Sequence, residues 1–282
     1  MKCPICSSET RRLFQKNGYW IRGCYLCKHR FAEISPDAEI VNRVYGDQYF
    51  HSDADGYPDY LSEAAHLTTT GRRYGEILKN HLSSGSLLDV GCAAGFITKG
   101  LQEAGWIVSA IEPNRTMSAF ASHLLGINVE TNTLEDYRCK IRYNVITMIQ
   151  VLPHFYDLNA ALRIAANLTH PGGYWLIETY NRDSSTAKIF GQHWHEYSPP
   201  SVLQWFSRSG LDRLTDKYGF SQIGRGRPLK RIRVGNAKTI IANKFGKVSQ
   251  TGLISSILAI IPDRLTVPYP FDDVFWALYQ KK

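Results

Sequence analysis

The chain is 282 residues long, more than one average domain, and suits one large domain with a small appendage. With 44% hydrophobic and 12% aromatic residues it holds too much apolar material for a disordered chain, and it can bury a sizeable core. The formal net charge is +8, and no apolar run approaches the ~20 residues that span a bilayer, so the reading is a soluble, cytoplasmic protein with a leaning toward anionic partners.

Six cysteines in such a length do not make a secreted disulfide framework. Four of them form two tight pairs, Cys3-x-x-Cys6 and Cys24-x-x-Cys27, separated by 17 residues. That spacing delivers four thiolates to one tetrahedral ion, and four sulfurs leave no position for water, so a structural Zn²⁺ is expected. About 30 residues have too little core to fold without such a staple. His29 lies nearby, but the ligand set is complete without it, and a surface position is expected for it. Residues 1–34 are read as a zinc ribbon and residues 35–70 as a linker and lid-like segment, rich in aromatic residues, with Tyr49 and Tyr60 as candidates to close over a ligand. Residues 71–282 are read as the main domain, with an insertion at about 180–208.

From residue 71 short apolar runs alternate with helical patterns, the sign of an α/β fold with a mainly parallel sheet. Strands are predicted at Leu87–Val90, Ile107–Ile111, Asn128–Glu130, Tyr143–Met148, Tyr174–Glu178, Phe220–Gly224 and Val274–Tyr279. A helix over Asp157–Leu168 gathers Leu158, Ala161, Leu162, Ala165 and Leu168 on one face, and Pro171-Gly172-Gly173 is its expected stop. Ser209 and Asp212 have capping-box spacing for a further helix, ended by Gly219. Seven strands with interleaved helices make a Rossmann-like, doubly wound sheet.

The most informative run is Leu88-Asp89-Val90-Gly91-Cys92-Ala93-Ala94-Gly95-Phe96, an apolar strand that ends in a tight turn of small residues and opens a helix. Small residues let the backbone bend there and approach a ligand closely. About 20 residues on, Glu112 ends the next apolar strand, where a carboxylate can accept hydrogen bonds from ribose hydroxyls. Only Gly91 and Gly95 are glycines, so the G-x-G-x-x-G fingerprint of a dinucleotide site is not met. At these positions the sequence resembles class I S-adenosylmethionine-dependent methyltransferases, whose first motif reads roughly D-x-G-x-G-x-G, with Ala93 in place of the middle glycine.

The resemblance continues along the chain. Leu134-Glu135-Asp136 stands where an acidic turn borders the adenine, Tyr143 to Met148 is similar to the fourth-strand motif with Asn144 where an Asp is usual, and Val151-Leu152-Pro153-His154 resembles V-L-E-H with Pro153 in place of Glu. What the resemblance implies is S-adenosyl-L-methionine as cofactor, held by Asp89, Gly91, Cys92, Ala93, Gly95, Glu112, Pro113, Leu134, Glu135 and Gln150. The N-terminal segment is similar to ribbons joined to bacterial enzymes of this kind.

Methyl transfer from a sulfonium needs alignment above all, and a base where the acceptor is an oxygen or carbon acid. His154, after the fourth strand of the main domain, is the first candidate. The run Gln192-His193-Trp194-His195-Glu196-Tyr197 offers His195 as a second; H-x-H with Glu196 as a further metal site is a weaker reading of the same run. The expected acceptor is a small molecule such as a sugar, a lipid-linked compound or another anionic metabolite. From Lys217 to Pro262 there are nine Lys and Arg and no acid, so an RNA acceptor is the main alternative, and a non-catalytic binding module on the same fold is the third.

Overall fold

The computed structural model describes residues 1–35, 60–228, 231–233, 266–268 and 272–282. Tyr49, the side chain of Tyr60, and most of the basic and apolar stretches between 229 and 271 lie outside these residues.

In the N-terminal segment, strand β1 (Thr10–Lys16) pairs antiparallel with β2 (Tyr19–Cys24), and β2 with β3 (Arg30–Ala32). Asn17 and Gly18 connect the first two with positive φ at both residues, the geometry a two-residue hairpin needs to follow the right-handed strand twist.

The main sheet runs in the order β10-β13-β8-β7-β4-β5-β6. Its strands are β4 (Ser86–Val90), β5 (Ile107–Ile111), β6 (Val129–Glu130), β7 (Tyr143–Ile149), β8 (Thr169–Tyr180), β10 (Phe220–Gly226) and β13 (Val274–Lys281). From β8 to β6 all pairings are parallel, whereas β13 lies antiparallel between β8 and β10. Successive strand residues face opposite sides, so Leu88, Val90, Ile146 and Ile177 join one core cluster and Leu87, Val145 and Leu176 another. A mostly parallel sheet is buried on both faces in this way, and the seven predicted strands are all present.

The helices are α1 (Ala64–Lys79), α2 (Phe96–Glu103), α3 (Arg115–Leu125), α4 (Leu158–Leu168), α5 (Ser185–Phe190) and α6 (Arg208–Asp216). The apolar face predicted for α4 is buried as a whole. Two local expectations are corrected. Pro171-Gly172-Gly173 does not stop α4, which ends at Thr169; that residue returns its hydroxyl to the Ala165 carbonyl and enters β8 directly. The cap of α6 is Ser207, accepting from the Gly210 N–H at 3.0 Å, rather than Ser209, because the helix already begins at Arg208; Asp212 instead accepts from Arg225 and the Tyr279 hydroxyl.

The chain forms one compact unit of Met1–Arg227 with Asp272–Lys282, and a second of Pro228–Phe271. The ribbon merges with the larger unit because β3 pairs with β9 (Gln204–Trp205), which comes from the predicted insertion. His29 is fully buried at that seam, not on the surface, with Nε2 2.8 Å from Gln204 Oε1. In the second unit, β11 (Arg231–Arg233) pairs antiparallel with β12 (Thr266–Pro268).

Candidate active site

The carboxyl edge of β4 leads into the glycine turn, and its first anchor is Asp89. Its carboxylate is buried and accepts from the hydroxyls of Thr98 at 2.5 Å and Thr147 at 2.6 Å, tying the strand to α2 and β7. Burial pushes its pKa up to about 6 although both hydrogen bonds act the other way. Gly91 then takes φ +67°, and an added Cβ would lie 2.6 Å from Val151 Cγ2, so both conformation and space demand glycine. Ala93, the substituted middle position, takes φ +49°, the left-handed conformation that glycine adopts without strain.

The N–H groups of the turn are engaged by the chain itself. Gly91 and Cys92 both donate to the Ile111 carbonyl, and Gly95 donates to that of Cys92. The Cys92 side chain packs into the core with Ala110, Ala121 and Leu125, so a ligand could meet only its backbone. Gly95, also left-handed, caps the start of α2.

Glu112, at the end of β5, faces this turn. One oxygen accepts from the Ala93 N–H and the other from the Asn114 N–H, both at 2.8 Å. Asn114 in turn caps α3 by accepting from Met117, so the carboxylate joins the turn, β5 and α3 at one point. Burial raises its pKa to about 7 against those two bonds. Pro113 follows it and is half-buried. Leu134 is buried, and Glu135 accepts from the Tyr156 N–H at 3.0 Å, with a pKa likewise raised by burial to about 7.

At the end of β7, Gln150 adopts φ +57° and donates Nε2–H to Glu178 Oε1 at 2.8 Å. A carboxylate can only accept, which fixes the orientation of the amide and turns Gln150 Oε1 away, where it is buried without a hydrogen-bond partner among the described residues. The Tyr74 hydroxyl donates to the other oxygen of Glu178. Next to Tyr74 on α1, Arg73 Nη1 is buried and likewise lacks a partner among the described residues, and its charge acts on the Tyr74 hydroxyl. Arg73, Tyr74 and Glu178 were not singled out from the sequence; a carboxylate closing the otherwise apolar run Tyr174–Glu178 was the available signal.

Beyond β7, His154 Nδ1 lies 2.6 Å from the Ser201 carbonyl. A carbonyl cannot donate, so Nδ1 carries the proton and Nε2 is the basic nitrogen of the neutral ring. Burial lowers the His154 pKa, opposed by backbone contacts and by the charge of Glu196. His195, the second candidate, has Nε2 2.8 Å from Glu196 Oε1 and 3.9 Å from Asp273 Oδ2. His193 is exposed, whereas Trp194 is fully buried and packs edge-on against Tyr197 and Tyr180. The structure therefore brings Glu196 near both histidines.

Cys3, Cys6, Cys24 and Cys27 converge in the ribbon, with Sγ–Sγ distances of 3.4 to 3.5 Å for three of the pairs. A tetrahedron of Zn–S bonds near 2.3 Å has edges of about 3.8 Å, so the donor set fits a closed site with little adjustment.

Comparison with known proteins agrees with this geometry. A family model described as a methyltransferase domain matches residues 63–223. Among curated relatives, the ubiquinone biosynthesis O-methyltransferase of Rhodopseudomonas palustris is 28% identical over 145 residues, covering 48% of this chain and 57% of that protein. The protein of the same name from Saccharophagus degradans is 27% identical over 179 residues, covering 56% of this chain and 74% of the relative. Among solved structures, the 1,6-didemethyltoxoflavin-N1-methyltransferase of Burkholderia thailandensis superimposes with a TM-score of 0.57 at 14% identity, covering 98% of this chain and 100% of that one. The YcgJ protein of Bacillus subtilis gives a TM-score of 0.54 at 15% identity, covering 77% and 99%. The family match spans more than half of the residues, and with the glycine turn, the acidic end of β5 and the strand order already described, it shows that the chain belongs to the methyltransferase-domain family.

Proposed function

We propose that the protein transfers a methyl group from S-adenosyl-L-methionine to an oxygen of a small-molecule acceptor. The observation that carries the cofactor reading is that two buried polar atoms, Arg73 Nη1 and Gln150 Oε1, have no hydrogen-bond partner among the described residues. A guanidinium donor and an amide acceptor complement the carboxylate and ammonium of an amino acid, and orphaned buried groups are costly unless a ligand satisfies them. Across the turn, Glu112 keeps lone pairs for ribose hydroxyls beyond its two backbone bonds, and Leu134 and Glu135 border the base. Bound there, the cofactor supplies a sulfonium methyl, transferred as its S–C bond breaks and an acceptor O–C bond forms, leaving a neutral thioether.

The residues of the chain then have two tasks. The tight turn and the Glu112 anchor fix one reactant, since orientation supplies much of the acceleration in such a displacement. His154, neutral near pH 7 because of its burial, receives the acceptor proton at Nε2 while Nδ1–H remains on the Ser201 carbonyl. The oxygen acceptor is supported by the curated relatives, which are named O-methyltransferases.

The four cysteines are proposed to hold a structural Zn²⁺. Its role is mechanical: the ribbon braces the loop that positions His154, through Asn17 to the Pro199 carbonyl, the Ala32 N–H to Leu203 and the Leu203 N–H to Pro153. Calorimetric titration with S-adenosylmethionine and with NAD tests the cofactor assignment. The expected result is micromolar binding of the first alone, weakened at least tenfold, ~1.4 kcal/mol, in Glu112→Ala. Absence of binding by the metal-loaded protein overturns it.

A further inference from the structure

The four cysteines are set into the body of the protein. Cys3 and Cys24 are buried in the core cluster that also holds Phe206, Leu211 and Leu214, and Cys6 and Cys27 pack against its border. Four thiolates outweigh the charge of one Zn²⁺, so the loaded site is an anion inside an apolar core. Such a charge is costly unless a cation lies near it. We infer that Arg182, two residues past the end of β8, is the charge partner of the zinc centre and holds its thiolates from the side of the main sheet. The inference rests on the zinc reading and is independent of methyl transfer.

The backbone brings the two together through His29. The Cys24 N–H donates to the His29 carbonyl at 2.9 Å, and the His29 ring lies 5.0 Å from that of Phe206. The Phe206 carbonyl in turn accepts the Arg182 N–H at 2.8 Å. The pairing of β3 with β9 fixes this order, because it seats the residues around His29 against those that lead into Phe206. Arg182 is therefore anchored by its main chain beside the residue that the cysteine knuckle is built on.

Its side chain is under-compensated where it stands. The Arg182 side chain is 13% exposed, and its Nη2 lies 2.9 Å from Oδ1 of Asp183, which is 46% exposed and shares its charge with solvent. The Nε is buried with no hydrogen-bond partner among the described residues. Burial lowers the Arg182 pKa and the charge of Arg30 adds to that, while Asp183 and Cys27 act in the opposite direction. A guanidinium in this setting gains from a second anion, and the loaded thiolates supply one.

The cations of the ribbon itself are placed elsewhere. Lys2 pairs with Glu9, and both Arg12 and Arg22 bind Glu33. Arg11 and Lys28 are exposed, and Lys16 stands at the hairpin end of β1, away from the cysteines. Arg30 donates to the Tyr197 hydroxyl at 2.5 Å. A cation from the main domain thus serves a metal held by the ribbon. As a positioning residue it acts on the ligands rather than on the ion, the way partners behind a metal's ligands tune affinity.

The test uses the full-length protein loaded with Zn²⁺ and, in parallel, with Co²⁺, whose thiolate-to-metal charge-transfer band reports the charge around the sulfurs. Zinc affinity is measured against a competing chelator. Arg182→Gln is expected to weaken zinc at least tenfold and to move the cobalt band to longer wavelength, because the sulfur electrons are held less firmly without the cation. Arg182→Lys should keep the band in place and the affinity within about threefold, since the charge is retained. Asp183→Asn removes the rival anion at an exposed position and so spares the fold; zinc affinity should hold or rise, and a tenfold fall overturns the assignment. Equal affinity and an unmoved band in Arg182→Gln also overturn it while leaving the zinc site standing. No uptake of either metal by the wild type removes the zinc reading itself, and this inference with it.

Discussion

Glu112 and Ala93 hold each other in place across the cofactor turn: the carboxylate accepts the Ala93 N–H at 2.8 Å, and Ala93 itself stands in the left-handed conformation that presents this N–H. The same carboxylate accepts from Asn114. Glu112→Gln should therefore be worse than a loss of charge, because one arm of the amide sets an N–H against an N–H. Cofactor affinity is expected to fall tenfold or more, ~1.4 kcal/mol, with the melting temperature lowered as well, read by calorimetry and thermal denaturation.

Three buried carboxyls give a pH dependence with a definite sign. Asp89, at about 6, and Glu112 and Glu135, at about 7, are all raised above their ordinary values by burial. The folded protein thus keeps protons that the unfolded chain has already released. Stability conferred by the neutral carboxyls is present below the ordinary carboxylate range and is lost as pH rises through about 7. The ligand-free protein is expected to melt at lower temperature at pH 8 than at pH 5. Ribose hydroxyls, by contrast, donate to a carboxylate, so cofactor affinity should rise about tenfold from pH 6 to pH 8 if Glu112 is the titrating group. Affinity that does not change over that interval would sink the assignment.

Gly91 is required twice over. In Gly91→Ala the new methyl would lie 2.6 Å from Val151 Cγ2 and the residue would still need φ +67°. A loss of about 2 to 4 kcal/mol is expected, and adding Val151→Ala should restore part of it, since the contact can be relieved but the backbone strain of about 1–2 kcal/mol cannot. A double-mutant cycle by denaturant unfolding separates the two parts.

His154→Gln should lower kcat by about 10²-fold or more while cofactor affinity stays within a factor of about two, because its Nδ1–H is anchored on the Ser201 carbonyl. Equal loss of both would recast His154 as a structural residue.

Chelation of the zinc proposed for the ribbon should act at a distance. Because β3 pairs with β9 and Asn17 holds the Pro199 carbonyl, removing the ion is expected to raise amide exchange in residues 197–205 and to depress kcat, leaving the glycine turn protected. Exchange confined to residues 1–34 would show that the ribbon does not support the loop.

Much of this protein can be read from its sequence because the relevant signals are local. The apolar face of α4, the alternation that splits Leu87 from Leu88, and the small residues from Gly91 to Gly95 each follow from the period of a helix, the period of a strand or the steric demand of a turn. The two Cys pairs stand out for the same reason, and their sulfurs converge in the structure. The tertiary structure alone decided the rest. His29 is buried because a strand 175 residues away comes to lie beside its own, and no short-range pattern records that pairing. The end of α4 depends on Thr169 pairing with Tyr143 in the sheet, and Asp212 is held by Arg225 and Tyr279, partners outside the windows in which these residues were read. Arg73 and Glu178 became visible only through what surrounds them, one guanidinium nitrogen without a partner among the described residues and one carboxylate that accepts from both Tyr74 and Gln150. Asp273 joins His195 and Glu196 across nearly 80 positions of sequence because β13 inserts antiparallel between β10 and β8, and such juxtapositions depend on sheet order, which is a property of the folded chain as a whole.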